Sequence, residues 1–595
     1  MSTNEPFTDI DIPVEKTGFY KGYSLPIALL SKVFITLLVL WTLIWPASAD
    51  SQLGSWKWSI LGGFNSFYIV AVGAFAIFLF MLAILPSTGN KVLGPVGEKP
   101  EFSNFSWFSM MFGAGLGVGL MVYATAEPLS LWGSNPEIVS RAVTGSASET
   151  IESAFRFTFL HYGFHAWAIY VVTGLSLAYY AYTKDMPLTI RSALTPILGR
   201  FANGPLGHLI DVLGVIATIL GVAVTIGFGI SQFVEGVYSI TGIEWLMNGK
   251  TEAPAPSTVG MVSALILIMG MSILSAVSGV GRGVKYLSNL NLVLSLVLLL
   301  TFVIFGSFLF AMTTYATAFV DYIMHFLSIG FNAYNPQSEA AFAAALPEAA
   351  APFVSELYSG ATNAWGSFDS FKGALPAAAT LDEATLSAAY DAGEDGRLFG
   401  WQSGWTTFYW AWWIAFSPFV GLFLARISKG RSVREFILGA VIAPSLVCFV
   451  WMTLLGGTAI DLELNGVAEG SIVGASLTAK LFVTLEYMIS GGLLSVISIM
   501  CVVLIMTFLV TSADSGILVM NTIMSGGAQE TGVLHRIIWG ILLTLVIATL
   551  LIAGGGGLEA IKSAMIIGAL PFTFVMVLMC ISLAKAMFYD IKNGS

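Results

Sequence analysis

Long apolar runs of about 20 residues, separated by short polar segments, dominate the pattern of the chain. This length matches the hydrocarbon core of a bilayer, and runs that are continuous rather than alternating predict helices instead of barrel strands. The pattern predicts an all-α, polytopic membrane protein with twelve transmembrane helices. We expect them near residues 25–46, 57–85, 104–127, 151–182, 206–238, 258–279, 287–318, 400–425, 433–458, 490–513, 533–553 and 560–588.

Three weaker features lie beside these spans. Two amphipathic segments, 322–334 and 476–488, could lie flat on the membrane or on the protein. The first apolar run is followed by Ala47-Ser-Ala49, which resembles a signal-peptidase site. That run is longer than the 7–15 apolar residues of a signal peptide, so we expect a retained first helix.

Composition agrees with a membrane protein and excludes other classes. Of the 595 residues, 56% are hydrophobic and 10% are charged, whereas soluble domains carry roughly 25% charged residues. The net charge of -10 gives no reason to expect a nucleic-acid partner. The three cysteines lie inside apolar runs and are expected to be small buried side chains rather than disulfides; they are Cys448, Cys501 and Cys580.

The distribution of lysine and arginine predicts the orientation. If the chain changes side at each of the twelve spans, both termini lie on the same side, and sixteen of the 25 basic residues fall on that side. Basic residues favour the cytoplasmic side, so we expect both termini in the cytoplasm and the chain in the cell inner (plasma) membrane. The sixteen are Lys16, Lys21, Lys91, Lys99, Lys184, Arg191, Arg200, Arg282, Lys285, Arg426, Lys429, Arg431, Arg434, Arg536, Lys585 and Lys592.

The longest loop on the opposite side, 326–399, is rich in alanine and acidic residues. It carries only Lys372 and Arg397 as basic residues. Such an insert could be a solvated cap or a vestibule that attracts cations. Its acidic residues are Glu339, Glu348, Glu356, Asp369, Asp382, Glu383, Asp391, Glu394 and Asp395.

Aromatic residues are concentrated at 405–419, a stretch with four of the chain's sixteen tryptophans. At about 100° per residue, one side of a helix would carry six of the rings, and Trp410 would face away. Such a wall could line a cage for a cation, or it could be membrane core or an interfacial belt. The six are Trp405, Tyr409, Trp412, Trp413, Phe416 and Phe419.

The third span contains the alternating glycines Gly113, Gly115, Gly117 and Gly119. Each costs about 1 kcal/mol of helix propensity relative to alanine. The glycines could allow close helix packing, or the helix could be unwound and offer backbone N–H and C=O groups to a carboxylate or to sodium. No strand precedes the run and no Gly-Lys-Ser/Thr follows it, which excludes a phosphate-binding loop.

Hydroxyl groups mark two further spans. Thr511 and Ser512 precede Asp514 near the end of the tenth span, where they could hold an alkali cation or satisfy their own helix end. The fifth span mixes glycine with Thr218 and Thr225 and could be a second broken helix.

The fourth span carries two histidines and a second set of rings. His161 and His165 have zinc-compatible spacing, but the glutamate of a metalloprotease motif is absent and hydrogen-bonded interior histidines are expected. Tyr162, Trp167 and Tyr170 could form a second aromatic wall.

Several of these segments closely resemble the betaine/choline/carnitine transporter family. The resemblance rests on Phe408-Tyr-Trp-Ala-Trp-Trp413, Ser417-Pro-Phe-Val-Gly421, the segment 423–436, Thr511-Ser-Ala-Asp-Ser515 and Ser278-Gly-Val-Gly-Arg-Gly283, together with the glycine run. It covers about residues 20–590. It implies secondary transport by a leucine-transporter-type fold with two inverted five-helix repeats, commonly assembled as a homotrimer.

The resemblance also implies a division of the chain. Residues 1–22 would be a cytoplasmic tail and 23–100 two peripheral helices. The first repeat would be 101–325 (spans three to seven), the acidic loop 326–399, and the second repeat 400–590 (spans eight to twelve).

The family's binding residues can be carried over to matching positions. The substrate cage would use Trp412, Trp413 and Phe416 with Tyr162, Trp167 and Tyr170, beside the backbone of Gly115, Gly117 and Gly119. One sodium site would use Gly113, Ala114, Leu116, Phe508, Thr511 and Ser512, and another would use Thr218 and Phe419. No organic cofactor is implied, and sodium would be the coupling ion.

Three departures from the family pattern affect these expectations. Phe416 and Tyr162 replace cage tryptophans, and indole attracts a cation better than phenyl. Val222 replaces a threonine of the second sodium site, which favours the site at Thr511 and Ser512. A long basic C-terminal tail does not follow the last span, so we do not expect the osmotic activation that such a tail confers.

Gly119 indicates the charge of the substrate, because choline carriers of this family can have aspartate there. We therefore expect sodium-coupled uptake of a zwitterionic quaternary ammonium or sulfonium solute, glycine betaine or an analogue such as dimethylsulfoniopropionate. Choline, carnitine or ectoine uptake and sodium-independent exchange remain alternatives within the family, and a channel or sensor is an alternative outside it. The chain offers no nucleophile–base pair or cofactor motif, so it is not expected to be an enzyme.

Overall fold

The computed structural model describes residues 9–95, 97–115, 117–249, 255–278, 285–363, 365, 367–375, 380–528, 530–555 and 558–593. Within these ranges, the side chains of 105, 109, 112–115 and 285 are not described. Helices dominate, and one short antiparallel pair of strands joins Met247–Asn248 to Ala255–Pro256.

The long helices outside the insert are labelled in chain order. They are α1 (Leu25–Ile44), α2 (Pro46–Ile84), α3 (Asn104–Gly115), α4 (Gly117–Gly133), α5 (Ile151–Tyr162), α6 (Phe164–Ala178), α7 (Pro205–Thr241), α8 (Thr258–Ser278), α9 (Lys285–Phe305), α10 (Phe308–Phe331), α11 (Glu394–Gly404), α12 (Thr406–Ile427), α13 (Val433–Leu464), α14 (Lys480–Met488), α15 (Gly491–Met524), α16 (Val533–Ala553) and α17 (Glu559–Asn593).

Short elements connect them. These are Pro86–Gly89, Pro136–Val139, Thr195–Leu198 and Ser471–Gly474 as α-helical turns, Ser148–Thr150, Ile190–Leu194, Gly199–Asn203 and Glu244–Leu246 as 3-10 turns, and Tyr179–Thr183 as a π-helical turn. The insert contains Glu339–Ala344, the 3-10 turn Glu348–Phe353, Val354–Asn363, Phe368–Gly373 and Glu383–Ala392.

Within the described residues, ten helical segments are long and apolar enough to cross a membrane. The predicted third and fourth spans are not among them. The third contains residue 116, which is outside the described residues, and the fourth is divided into two helices at Gly163. A bilayer requires backbone polar groups to be paired within the protein, and helices meet that requirement. The chain is therefore a polytopic all-α membrane protein.

Several predicted boundaries were wrong. The seventh span was expected to run to residue 318, but α9 ends at Phe305 and a separate helix, α10, begins at Phe308. This helix includes most of the amphipathic segment predicted at 322–334. The second span was expected to begin at 57, but α2 begins at Pro46, a residue tolerated in the first helical turn.

Burial distinguishes central from peripheral helices. In the most apolar 18-residue stretch of α7, 89% of the residues are buried, whereas in that of α9 only 28% are buried. Around the centre, α7 packs on α15 and α12, α6 packs on α12, and α4 packs on α13. At Gly221 of α7, a Cβ would lie 2.9 Å from the backbone of Ala415 and Phe416, so glycine permits this close crossing.

The fifth span was expected to be a candidate broken helix, and that interpretation was wrong. Helix α7 is continuous over 37 residues. Thr218 and Thr225 donate their hydroxyl protons to carbonyls one turn back, to Gly214 and Gly221. These local bonds satisfy the hydroxyls inside an apolar helix without opening the backbone.

The insert forms a small helical unit with its own hydrophobic core. Phe342, Leu357, Phe371 and Tyr390 are almost fully buried within it. Its helix Glu383–Ala392 begins with an N-cap, since the Thr385 backbone N–H and hydroxyl donate to Asp382. These bonds hold the pKa of Asp382 below its usual value. We call the membrane face that carries this unit the insert face.

Two arginines attach the insert to the membrane part. Arg397 is buried, donates to the carbonyls of Ala361 and Tyr390, and reaches the Val139 carbonyl at 3.4 Å. Arg141 forms an ion pair with Asp391 at 2.9 Å. The acidic loop is thus a folded cap, and its charges are partly paired.

Candidate functional site

A small cavity lies between α4, α6 and α12, close to where α7 crosses. Its volume is about 30 Å³, which is room for about two water molecules. It is lined by Gly117, Val118, Gly119, Leu120, Tyr162, Ala166, Trp167, Tyr170, Thr225, Trp412, Trp413, Phe416, Cys448 and Ser512. All six aromatic residues predicted for the cage therefore lie on one cavity, which we call the cage.

The rings of the cage stand in two walls. Trp412 and Trp413 are stacked, with ring centroids 4.7 Å apart and planes at 18°. Tyr162 and Tyr170 meet Trp413 edge-on, at 5.6 and 6.1 Å. Trp167 meets Tyr170 in the same manner at 5.6 Å. Ring faces carry negative potential, so this arrangement suits a cation without a charged side chain.

Hydrogen bonds fix the two indoles. Trp412 Nε1 donates to Thr225 Oγ1 and Trp413 Nε1 donates to the His161 carbonyl, each at 2.9 Å. Both indoles are buried, and a buried indole N–H without an acceptor would be costly. The rings are therefore held in place before any solute binds. Thr225 was not among the predicted site residues, because a single threonine in an apolar run gives no distinctive signal.

Two predicted glycines face these rings and the neighbouring helix. A Cβ on Gly119 would lie 3.4 Å from Trp413 and 3.8 Å from Trp412. A Cβ on Gly117 would lie 3.2 Å from Phe508 and 3.6 Å from Ser512 Oγ. A larger side chain at Gly119 would enter the cage, so its absence sets the size of the cavity.

The unwound alternative for the glycine run does not hold at its four glycines, each of which is helical. Gly113 and Gly115 end α3, and Gly117 and Gly119 begin α4. Leu116 lies outside the described residues. The Cβ distances at Gly117 and Gly119 favour the other interpretation, in which small residues permit close approach.

A break occurs instead in the fourth span, at Gly163. This residue separates α5 from α6, and a Cβ there would lie 2.3 Å from the Phe159 carbonyl oxygen. The break lies between Tyr162 and Trp167, so the second aromatic wall comes from two helices rather than one. Glycine is required because any side chain would collide with the preceding turn.

Two polar groups reach the cage from the second wall and from α13. Tyr170 Oη is buried and has no hydrogen-bond partner among the described residues. Cys448, on α13, is fully buried and also lines the cavity. An unpartnered buried hydroxyl is costly, so Tyr170 offers a hydrogen-bond donor to a polar occupant.

The remaining rings of the 405–419 stretch lie outside the cage. Trp410 stacks on His165 at 6.1 Å and is absent from the cage lining, as its position on the helix predicted. Trp405 lines a separate pocket towards the insert face. Phe416 meets Phe419 edge-on at 4.8 Å, which connects the cage to a residue predicted for the second sodium site.

The residues predicted for the first sodium site are only partly described. Ser512 lies on the cage wall, and Phe508 contacts the position of Gly117. The Thr511 hydroxyl donates to the carbonyls of Thr507 and Phe508 and accepts from Asn291 Nδ2 at 3.2 Å. Leu116 and the Ala114 side chain lie outside the described residues, and Gly113 lies in the last turn of α3.

Asn291, on α9, was not predicted as part of this region. It is 4% exposed, and its Oδ1 has no partner among the described residues. This buried carboxamide beside the Thr511 hydroxyl is an additional neutral oxygen source. Its sequence surroundings, an apolar run, gave no sign of this contact.

The second predicted sodium region contains Thr218 and Phe419, both buried. The Thr218 hydroxyl donates to the Gly214 carbonyl at 2.8 Å. One turn on, Val222 packs against Gly516, where a Cβ would lie 3.0 Å from Val222 Cγ2. The apolar side chain of Val222 therefore occupies the position at which the family pattern has a second threonine hydroxyl.

A buried polar cluster adjoins the cage on the insert side, and sequence reasoning missed its carboxylate. Glu127 of α4 and His161 of α5 are fully buried, with His161 Nδ1 2.6 Å from Glu127 Oε1. His161 Nε2 lies 2.9 Å from Thr406 Oγ1, and the Tyr409 hydroxyl donates to Glu127 Oε2. The sequence showed Glu127 only as one acidic residue in an apolar run.

The two histidines of the fourth span are hydrogen-bonded interior residues, as expected. His165 Nδ1 lies 3.3 Å from the Tyr322 hydroxyl. Among the described residues, no group of three or more His, Cys, Asp or Glu side chains is arranged to hold a metal ion.

Comparison with known proteins agrees with these features. The sequence profile of the betaine/carnitine/choline family transporters matches residues 26–347 and 377–592. Glycine betaine transporter 1 of Vibrio parahaemolyticus is 33% identical over 580 residues, covering 96% of this chain and 95% of the relative. Glycine betaine transporter OpuD of Bacillus subtilis is 33% identical over 549 residues, covering 92% and 91%.

A third relative has a broader printed specificity. It is a glycine betaine/proline/choline/ectoine transporter of Vibrio parahaemolyticus, 34% identical over 550 residues, which cover 92% of this chain and 84% of the relative. The chain belongs to the betaine/carnitine/choline transporter family. It is accordingly a multi-pass membrane transporter and not an enzyme.

Proposed function

We propose that this family member takes up a zwitterionic quaternary ammonium or sulfonium solute, glycine betaine or a close analogue such as dimethylsulfoniopropionate, together with sodium. The observation that carries the proposal is the cage. Rings from two walls surround one cavity, and none of its described lining residues is acidic. A solute that brings its own carboxylate needs no fixed anion there, whereas choline would lack one.

The relatives support a betaine-type solute. Two are named as glycine betaine transporters, and a third is named for proline, choline and ectoine as well. The Tyr170 hydroxyl is suited to the anionic end of a zwitterion, because it has no partner among the described residues. The volume of about 30 Å³ means that the cage must widen to admit the solute.

Sodium coupling is supported by the nearness of two sites. Ser512 lines the cage and lies next to Thr511 in α15, while Gly117 of α4 faces Ser512. A sodium ion held between α15 and the third span would favour the conformation that completes the cage. Coupling would then arise from the different affinity of sodium for the two conformations.

Uptake of labelled glycine betaine into proteoliposomes tests this proposal. We expect uptake to require an inward sodium gradient and to be inhibited more strongly by dimethylsulfoniopropionate than by choline, carnitine or ectoine. Liposomes without protein and a potassium gradient of equal size serve as controls. Uptake that is unchanged without sodium would overturn the coupling, and stronger inhibition by choline would overturn the zwitterion preference.

One observation favours a second candidate, sodium-independent exchange. Asn291 donates a hydrogen bond to Thr511, so a neutral donor occupies one lone pair of the candidate ligand. This hydrogen bond could hold α9 against α15 without an ion. Counterflow of betaine in sodium-free buffer on both sides distinguishes the two, because exchange proceeds there and symport does not.

The proposal includes the assembly and orientation implied by the family. We expect a homotrimer in the inner membrane with both termini in the cytoplasm. Mass determination of the purified transporter in detergent tests the trimer. Labelling of single cysteines introduced into the insert and near residue 530, in sealed cells, tests the orientation.

A further inference from the structure

The Glu127–His161 pair is a carboxylate and an imidazole enclosed between α4, α5 and α12. Both side chains are fully buried. The Tyr409 hydroxyl and His161 Nδ1 contact the two carboxylate oxygens. An ionised carboxylate in such a place is costly unless a cation neutralises it.

The described elements packed against the pair supply no such cation. Its titratable neighbours are three tyrosines, Tyr123, Tyr162 and Tyr409, whose phenols are neutral below about pH 10, and His165, an imidazole packed among rings where a charged form would be costly. The nearest elements also carry charged groups, each with other partners. Arg156 binds Glu137 and Asp321, Glu235 accepts from Ser476 and Thr478, Lys480 donates to the carbonyls of Ile472 and Val473, and Lys57 and Lys562 bind Glu559.

A pocket on the insert side lies next to the pair, and Thr406 stands between them. Thr406 contacts His161 Nε2 and also lines a pocket of about 330 Å³ that includes Glu137 and Arg156. We call this pocket the vestibule. Thr406 is only 2% exposed, so in this conformation the wall at Thr406 separates the pair from the vestibule.

We propose that Glu127 and His161 form a proton-binding site that fills when the insert face closes over the cage. This rests on the proposed function, because substrate binding is what drives the closure. In the open form, vestibule water would solvate an ionised Glu127. In the closed form the pair holds one more proton and is neutral, which removes the cost of a buried charge.

The transfer needs only atoms already in contact. A proton from bulk solution, carried as hydronium and relayed through vestibule water, reaches His161 Nε2 as the proton on Nδ1 passes to Glu127 Oε1. The imidazole ends neutral, with Nε2–H donating to Thr406 Oγ1 and Nδ1 accepting from the new Glu127 hydroxyl. One proton enters the site, and the carboxylate charge disappears.

Substrate binding links the site to the cage. Tyr409 donates to Glu127 and stands next to Trp413, with ring centroids 5.6 Å apart. The Tyr162 hydroxyl lies 3.3 Å from the Tyr409 hydroxyl. A solute that brings the two walls of the cage together therefore also encloses the carboxylate.

The test measures glycine betaine affinity by tryptophan fluorescence of the purified transporter, at fixed saturating sodium, from pH 5.5 to 9. We expect constant affinity at low pH and a fall of about tenfold per pH unit at high pH, because binding requires a proton that becomes scarce. In unbuffered solution with an indicator dye, binding should take up as much as one proton per transporter.

Two variants sharpen the result. Glu127→Gln keeps a neutral hydrogen-bonding group, so it should bind with a flat pH profile and take up no proton. Glu235→Gln, at another buried carboxylate away from the cage, should keep the wild-type profile. The dye measurement on the wild-type chain tests the proposal even if Glu127→Gln does not fold.

The possible failures are distinguishable. If the wild-type chain binds betaine with a flat pH profile and no proton uptake, the proton site is wrong and the proposed transport function stands. The proton site is also wrong if Glu127→Gln keeps the wild-type slope. If the wild-type chain binds none of the solutes at any pH, the proposed function fails and the inference fails with it.

Discussion

The cage and the candidate sodium region meet at neighbouring residues of α15, Ser512 and Thr511, but they are held in different ways. In the cage, each indole is stacked on its neighbour and donates to an acceptor on another helix, Thr225 or the His161 carbonyl. In the sodium region, Thr511 is held by carbonyls of its own helix and by Asn291. The cage is therefore preorganised across helices, which lowers the cost of binding.

This difference indicates how the two sites could depend on each other. Rings that are already in place need only a change in separation to accept a cation. Hydroxyls arranged along one helix need a second helix to approach before they can surround an ion. Ion binding should therefore report helix movement, while solute binding should report the rings themselves.

The largest expected effect comes from removing a ring. Trp412→Ala should weaken glycine betaine binding by about thirtyfold, because a desolvated cation–π contact is worth about 2 kcal/mol. Competition binding at saturating sodium measures it. Trp410→Phe, outside the cage, is the control and should leave affinity unchanged; equal affinity of Trp412→Ala and the wild type would rule out the cage.

A fixed charge in the cage should change its selectivity. Gly119→Asp places a carboxylate towards Trp412 and Trp413, so choline should gain relative to betaine by about tenfold, the effect of about 1.4 kcal/mol. The ratio of the two inhibition constants measures this. Gly119→Ala, whose Cβ makes ordinary contacts, is the control; an unchanged ratio in the aspartate variant would contradict the zwitterion argument.

Loosening one indole should have a smaller effect. Thr225→Val removes the acceptor of Trp412 Nε1 with little change in volume, and we expect about fivefold weaker betaine binding, or about 1 kcal/mol. Isothermal titration calorimetry of betaine binding measures this change in affinity. Thr453→Val is the matched control, since the Thr453 hydroxyl donates only within α13. Full affinity in Thr225→Val would show that stacking alone holds the ring.

The smallest effect separates the two sodium regions. Thr511→Val should raise the sodium concentration for half-maximal uptake on the order of threefold, through loss of one neutral oxygen, and leave betaine affinity at saturating sodium unchanged. Thr218→Val should change it less, since Val222 already replaces a hydroxyl. A larger effect at Thr218 would reverse the order of the two regions.

The aromatic cage could be predicted from ring spacing along a helix only in part. The 100° rule separated Trp410 from Trp412 and Trp413, but it also grouped Trp405, Tyr409 and Phe419 with them, and these three do not line the cavity. The set of six cage residues came from the family resemblance. Apolar run length predicted most of the membrane helices.

Features that depend on contacts between helices could not be read in this way. The glycine run looked weak as an isolated helix, but at Gly117 and Gly119 packing against Phe508 and Trp413 makes small residues suitable. The break at Gly163 depends on the turn before it. The end of α9 at Phe305 was not predicted, because the chain is apolar both before and after this point. Glu127 and Asn291 gain meaning only from partners more than 30 residues away.

The separate core of the insert has a consequence for reagents. Because Phe342, Leu357, Phe371 and Tyr390 bury one another, an antibody fragment could recognise this folded surface without entering the cage. Arg397 joins the unit to the Val139 carbonyl beside the vestibule. A binder confined to the insert would therefore serve as a neutral fiducial for imaging.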